Sequence, residues 1–256
     1  MNQRWREGRV YQPSRPVLNP ADYEVSALTG DATAKSFVTR HHYSGTFPAA
    51  RERFGLYRRG GFLVGVAVFS HPMTNAVLTS VFDGPVDTLC ELGRFVLLDS
   101  VEANGESWFL GRCFRLLRRE GYRGVVSFSD PIPRTTRAGA TVFPGHIGTI
   151  YQAHNGRYLG RSCARTLRLL PDGQVFSARA LQKIRRREQG WRYASAQLES
   201  AGASTCVGDP AVWVESQLPL VTRPLRHPGN HRYAWPLTTD ATCLMAARPY
   251  PKQVGV

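Results

Sequence analysis

The stretch "RFGLYRRGGFLVGVAVFS", residues 53–70, constrains the chain more than any other. Two apolar, β-prone runs flank the turn Arg59-Gly60-Gly61, which is a β-hairpin signal. A hairpin this apolar needs a layer to bury against, and the neighbouring segments supply it. "YEVSALTG" reads as a short strand. Asp31 is placed to cap a helix running to about His42, with Ala34, Phe37 and Val38 on its apolar side. Leu92 to Leu98 reads as a further strand. In "WFLGRCFRLLRREGY", Phe109, Cys113, Leu116 and Leu117 recur at i, i+4, i+7 and i+8, with Arg112, Arg115, Arg118 and Arg119 opposite. "GVVSFSD" is a buried strand ending in polar groups. A Pro- and Gly-rich loop, 131–145, leads to the short helix "IGTIYQAHN". "RYLGRS" and "TLRLLPDGQVFS" supply more strands, with Pro171-Asp172-Gly173 as a turn.

The order helix, hairpin, strand, helix, strand, helix, strand predicts a mixed α/β layer fold over about residues 22–170. We place an extended arm at residues 1–20, the core at 21–175, and a basic helical and Pro-rich extension at 176–256. In that extension "ARALQKIRRREQGWRYASAQLESAGA" reads as helical, bent at Gly190. Ala211–Val214 and Tyr233–Leu237 read as short strands.

The formal net charge of +14, from 33 Lys and Arg against 19 Asp and Glu, favours a polyanionic partner, of which nucleic acid is the commonest. A membrane surface is disfavoured, since no basic segment also carries a broad apolar face, and no apolar stretch is long enough to span a bilayer. Cys90, Cys113, Cys163, Cys206 and Cys243 are scattered with no CxxC pair, as expected of reduced thiols in a cytoplasmic protein. His146 and His154 lack a third ligand at fixed spacing, so no metal site is read from them.

"FVTRHHYSGTFP" sets His41, His42 and Tyr43 together at a helix end. Adjacent helical residues point about 100° apart, so only one of the two imidazoles can face a given site. In "SFSDP", Ser127 and Ser129 point to one side of a strand and Asp130 stands at its end, where sites in α/β proteins gather. The loop after Leu98, with Asn104, Gly105 and Ser107, opens a helix whose first-turn amides could meet a phosphate. Phosphate contacts to a nucleic acid are assigned to Arg51, Arg53, Arg134, Arg137, Lys183, Arg185, Arg186 and Arg187.

The element order resembles that of GNAT-type acyltransferases. More closely, "RHHYSGTFPAARERFGLYRRGG", "ELGRFVLLD", "SFSDP" and "GHIGTIYQAHNGRYLGR" resemble, in matching order, the phage Mom family of DNA adenine-modifying proteins. The resemblance implies an α/β, GNAT-like core with a mixed, mostly antiparallel central sheet flanked by helices. It also implies a transferase that adds a carbamoylmethyl group to the exocyclic amine of adenine, shielding DNA from restriction in the cytoplasm of a phage's host. It implies double-stranded DNA with a flipped adenine as partner, and acetyl-CoA or a related acyl donor as cofactor. Carried over by position, it points to His42, Tyr43, Arg94, Ser127 or Ser129, Asp130 and Tyr151 as the catalytic set, leaving His41 for packing or solvent. The competing readings are an acetyl-CoA-dependent N-acetyltransferase on a small amine or protein, and a non-catalytic DNA-binding protein of phage origin.

Overall fold

The turn at Arg59–Gly61 closes the hairpin because Gly60 and Gly61 both take positive φ, +91° and +81°, which L side chains rarely adopt. It joins β2 (Ala50–Arg58) to β3 (Phe62–Ser70) in the computed structural model, which describes residues 16–252. Among these residues the main sheet has seven strands in the order β1-β2-β3-β4-β5-β12-β8. Here β1 is Tyr23–Ala27, β4 Leu89–Leu97, β5 Gly124–Ser129, β8 Arg157–Arg161 and β12 His231–Pro236. All neighbours pair antiparallel except β4 and β5, which run parallel.

Two helices cover opposite faces of this sheet. From α1 (Ala32–His41), Ala34, Phe37 and Val38 pack with Val66, Val68 and Val96. From α3 (Gly105–Arg119), Phe109, Cys113 and Leu117 pack with Phe54, Phe69, Cys90 and Leu92. Each fully buried Phe or Leu contributes roughly 1.5–3 kcal/mol, so the amphipathic spacing read from the sequence holds both layers in place. The short helices α2 (Ala76–Thr79) and α4 (Thr149–Ala153) complete this unit. No helix among the described residues is long and apolar enough to cross a membrane.

The chain divides differently from the expected boundary at residue 175. One unit holds residues 16–130, 146–161 and 230–252, and the other 131–145 and 162–229. The C-terminal segment belongs to the first unit because β12 lies between β5 and β8 in the main sheet. The second unit has its own three-stranded sheet of β9 (Arg165–Leu169), β10 (Val175–Phe176) and β11 (Arg223–His227), in the order β10-β9-β11. The expected long loop 131–145 contains a small hairpin, β6 (Arg134–Thr135) with β7 (Thr141–Phe143).

Three helices, α5 (Ala178–Arg186), α6 (Trp191–Ser200) and α7 (Pro210–Val221), bury Ile184, Leu198, Trp213, Val214 and Leu218 together. The strand expected at Ala211–Val214 is therefore the start of α7. Asp209 caps it by accepting the Ala211 N–H, and Pro210 stands at its first position. The arm expected at residues 1–20 lies, as far as residue 15, outside the described residues. Beyond that point Ala103 donates its N–H to Pro16 and accepts from Leu18, and Pro20–Asp22 forms a short 3₁₀ turn.

Candidate active site

The site forms where β4 and β5 part. They pair from Leu89–Gly124 to Leu92–Ser127, and no further. Beyond Leu92, β4 stays with β3 through a bulge at Gly93, while β5 follows β12 to Ser129. Gly93 is required there, since a Cβ would lie 2.5 Å from Ser70 Oγ. The bulge interrupts strict alternation, and the two charged side chains of the strand, Glu91 and Arg94, flank it.

Burial raises the Glu91 carboxyl to about 7, and the opposing pull of Arg94 only partly offsets it. That value leaves Glu91 poised to accept a proton near neutrality. The Arg94 guanidinium donates to Thr46 O (2.9 Å), Thr46 Oγ1 (2.7 Å) and Gly93 O (2.6 Å), tying the segment after α1 to β4.

His42, just past α1, is buried, and its imidazole is pushed down to about 3 by burial first, then by the charges of Arg94 and His146. Its Nδ1 accepts the Ser44 N–H (3.2 Å) and lies 2.9 Å from Ser44 Oγ. A nitrogen that accepts a backbone N–H carries no proton, so the neutral ring holds its proton on Nε2 and offers a donor there. The Tyr43 ring stacks on His42 with centroids 4.2 Å apart and meets His146 edge-on at 6.2 Å. His146 is held by donating its N–H to Asp130 O at 2.7 Å. His41 packs on Phe37 instead, with ring centroids 4.6 Å apart.

The opposite lip carries the serines. Ser127 Oγ donates to Leu92 O (3.0 Å) and is hydrogen-bonded to the Tyr151 hydroxyl. Burial raises the Tyr151 phenol, which stays protonated, while its ring packs edge-on against Tyr233 and Trp235. Ser129 differs from Ser127, because its Oγ is fully buried and has no hydrogen-bond partner among the described residues. An unpartnered buried hydroxyl is costly, and among the described residues this one is left with a free donor.

The structure thus gathers His42, Tyr43, Arg94, Ser127, Ser129 and Tyr151 on one site, with the backbone of Asp130 supporting it. Sequence reading missed Glu91 and the place of His146. The signal for Glu91 was present, since a carboxylate in the apolar run "LCELGRFVL" is unusual for a buried strand. His154 does not join His146; its ring packs edge-on against Phe114.

At the start of α3, Asn104 is the N-cap with φ +65°. The N–H groups of Ala103 and Gly105 are taken by Pro16 O and Glu102 O, and Ser107 Oγ donates to Asn104 O. Glu102 itself pairs with Arg58. Among the expected phosphate contacts, Arg51 is corrected to an internal clamp. Its guanidinium donates to Val86 O, Asp87 O and Leu89 O and lies over the Tyr122 ring. Arg53 pairs with Asp31 at 2.8 Å, Arg185 with Glu215, and Arg134 lies over Phe143. Arg187 takes φ +51° at the end of α5 and donates to Gly208 O. Arg137 and Arg186 are exposed and Lys183 is half-buried, and none of the three forms an ion pair among the described residues.

A model of the Mom protein family matches residues 22–252, and the chain belongs to that family. No curated protein matches it. Solved structures similar to it include a tandem GNAT protein from the clavulanic acid biosynthesis pathway, at 10% identity and TM-score 0.42, covering 88% of this chain and 100% of that one. The spermidine/spermine N-acetyltransferase SpeG of Vibrio cholerae is 7% identical at TM-score 0.40, covering 85% and 94%. The GNAT N-acetyltransferase YhbS of Escherichia coli, solved with CoA, is 12% identical at TM-score 0.32, covering 48% and 68%.

Proposed function

We propose that the chain is a transferase acting on the exocyclic amine of adenine in DNA, adding the carbamoylmethyl group of its family. The observation that carries the reading is Glu91 at about 7 beside the charged Arg94, at the point where β4 and β5 part. An exocyclic adenine amine is a poor nucleophile because its lone pair is delocalised into the ring, so its attack needs a base. As the nitrogen bonds to the donor's electrophilic carbon, the donor's bond to its leaving group breaks and the amine proton passes to Glu91. His42 offers its Nε2 proton, and Tyr43 and His146 present ring faces and edges against which a flipped base can rest.

We take the donor to be of the acyl-coenzyme A class, which the family's GNAT-like fold implies. When bound it would supply a thioester-activated two-carbon unit and a thiol leaving group. The family's carbamoylmethyl group is joined to the amine through its methylene carbon and not as an amide, so plain acyl transfer from the thioester carbonyl is not the whole reaction. The parted edges of β4 and β5 can receive an amide-bearing arm, and the unpartnered Ser129 hydroxyl can hold a carbonyl oxygen. At Asn104, Gly105 and Ser107, any hold on phosphates falls to the first turn of α3, since two nearby amides are already used.

The test is expression in a bacterial host followed by mass spectrometry of nucleosides from its DNA. A mass-shifted adenosine is expected, and an unmodified adenine pool under good expression overturns the reading. The serines give a finer check. Ser129→Ala removes an unpartnered hydroxyl, so it should leave stability unchanged or slightly raised while lowering the modified fraction about 10²-fold. Ser127→Ala strands Leu92 O and the Tyr151 hydroxyl, and should instead cost about 1–3 kcal/mol in urea denaturation.

A further inference from the structure

The site uses the apolar face of α3 through its core contacts and nothing of the opposite face, where four arginines lie. Between that face and the edge strand β1 runs a groove of about 320 Å³, lined by Tyr23, Glu24, Trp108, Arg112, Arg115 and Arg119 with apolar neighbours. Among the described residues none of these three arginines forms an ion pair. Arg112 is held over the Trp108 ring at 4.9 Å, and its Nε is buried without a hydrogen-bond partner among the described residues. Arg115 and Arg119 are exposed. The one carboxylate lining the groove, Glu24, is outnumbered.

Like charges at i, i+3 and i, i+4 repel along a helix, and an external anion relieves that repulsion. From Arg112 to Arg119 the helix rises about 10.5 Å. Successive phosphates of one duplex strand lie about 3.4 Å apart along the axis, so the row spans about three of them. A guanidinium presents a planar fork of donors suited to phosphate oxygens. A lipid surface is the poorer match, because no large exposed hydrophobic side chain comes from α3 or β1.

We infer that the α3–β1 groove is a phosphate-binding track for the backbone of the DNA substrate, separate from the cleft at β4 and β5. This rests on the reading that DNA is the substrate, and it names a surface which that reading does not require. The double variant Arg115→Gln/Arg119→Gln tests it with a fluorescently labelled duplex, titrated by anisotropy at several salt concentrations. Each lost phosphate contact removes about 0.9 from the slope of log affinity against log salt. The expected result is at least tenfold weaker binding and a slope shallower by about two, with an unchanged melting temperature. Gln is a good helix former, so the fold is kept. Arg115→Lys/Arg119→Lys should keep most of the slope.

An affinity and slope equal to those of the wild type overturn the track, and the function survives if modified adenine is still found. Binding of phosphatidylserine vesicles through these arginines, with no duplex binding, also overturns it. If host adenine is unmodified yet duplex binding depends on Arg115 and Arg119, the track stands and the adenine reading falls.

Discussion

On the proposed transfer to adenine, Glu91→Gln is expected to lower modification by about 10²–10⁴-fold, the range for loss of a positioned base. In the wild type the rate should rise with pH through about 7, because Glu91 must be ionised to accept a proton, and the variant should lose that limb. Stability should move the other way. Burial raises the folded-state carboxyl from 4.5 to about 7, so between those values the folded protein binds more protons than the unfolded chain. The wild type therefore loses stability as pH climbs from about 4.5 through 7, by up to roughly 3 kcal/mol. Gln carries no such charge. The variant should match the wild type near pH 4 and melt several degrees higher at pH 8–9. Measuring the modified adenosine fraction and the melting curve across pH checks both halves. A variant that is equally active, or inactive only because it unfolds, sinks the assignment.

That residue also marks how far the sequence could be read. The hairpin at Arg59–Gly61 and the spacing of Phe109, Cys113 and Leu117 were legible, because turn chemistry and helical period are local properties. That His42 and Tyr43 stand together just past the end of α1 was legible too. Glu91 was not, because its raised pKa depends on a bulge at Gly93 and on β4 parting from β5, both of which are tertiary events. For the same reason Ser127 and Ser129 looked equivalent until one was found bonded to Leu92 and the other unpartnered. The place of β12 between β5 and β8 joins segments about 100 residues apart, which no local pattern reports. The start of α7 is a different miss. "VWV" is β-prone, but Asp209-Pro210 before it is a helix-start signal that should have outweighed it.

Gly148→Ala should damage both stability and chemistry, and Gly45→Ala is its control. Both residues take positive φ, +79° and +57°, so each substitution carries the left-handed strain of about 1–2 kcal/mol. A Cβ on Gly45 meets nothing within 4 Å, and that strain is its whole cost. A Cβ on Gly148 would lie 2.7 Å from Tyr233 Cε2, 3.0 Å from Ser129 Oγ and 3.0 Å from Tyr151 Cδ2. Tyr233 cannot easily yield, since it is fully buried and its hydroxyl donates to Ile147 O. Overpacking of this kind costs about 1–3 kcal/mol more. The displaced groups are the free hydroxyl of the cleft and the phenol bonded to Ser127, so chemistry should suffer along with stability. Urea denaturation should place Gly148→Ala about 2–5 kcal/mol below the wild type and Gly45→Ala about 1–2 kcal/mol below it. At temperatures where both variants are folded, Gly148→Ala should lose at least tenfold in modified adenosine and Gly45→Ala little. Equal losses for the two would mean that backbone strain alone decides, and that Gly148 does not set the spacing of Ser129 and Tyr151.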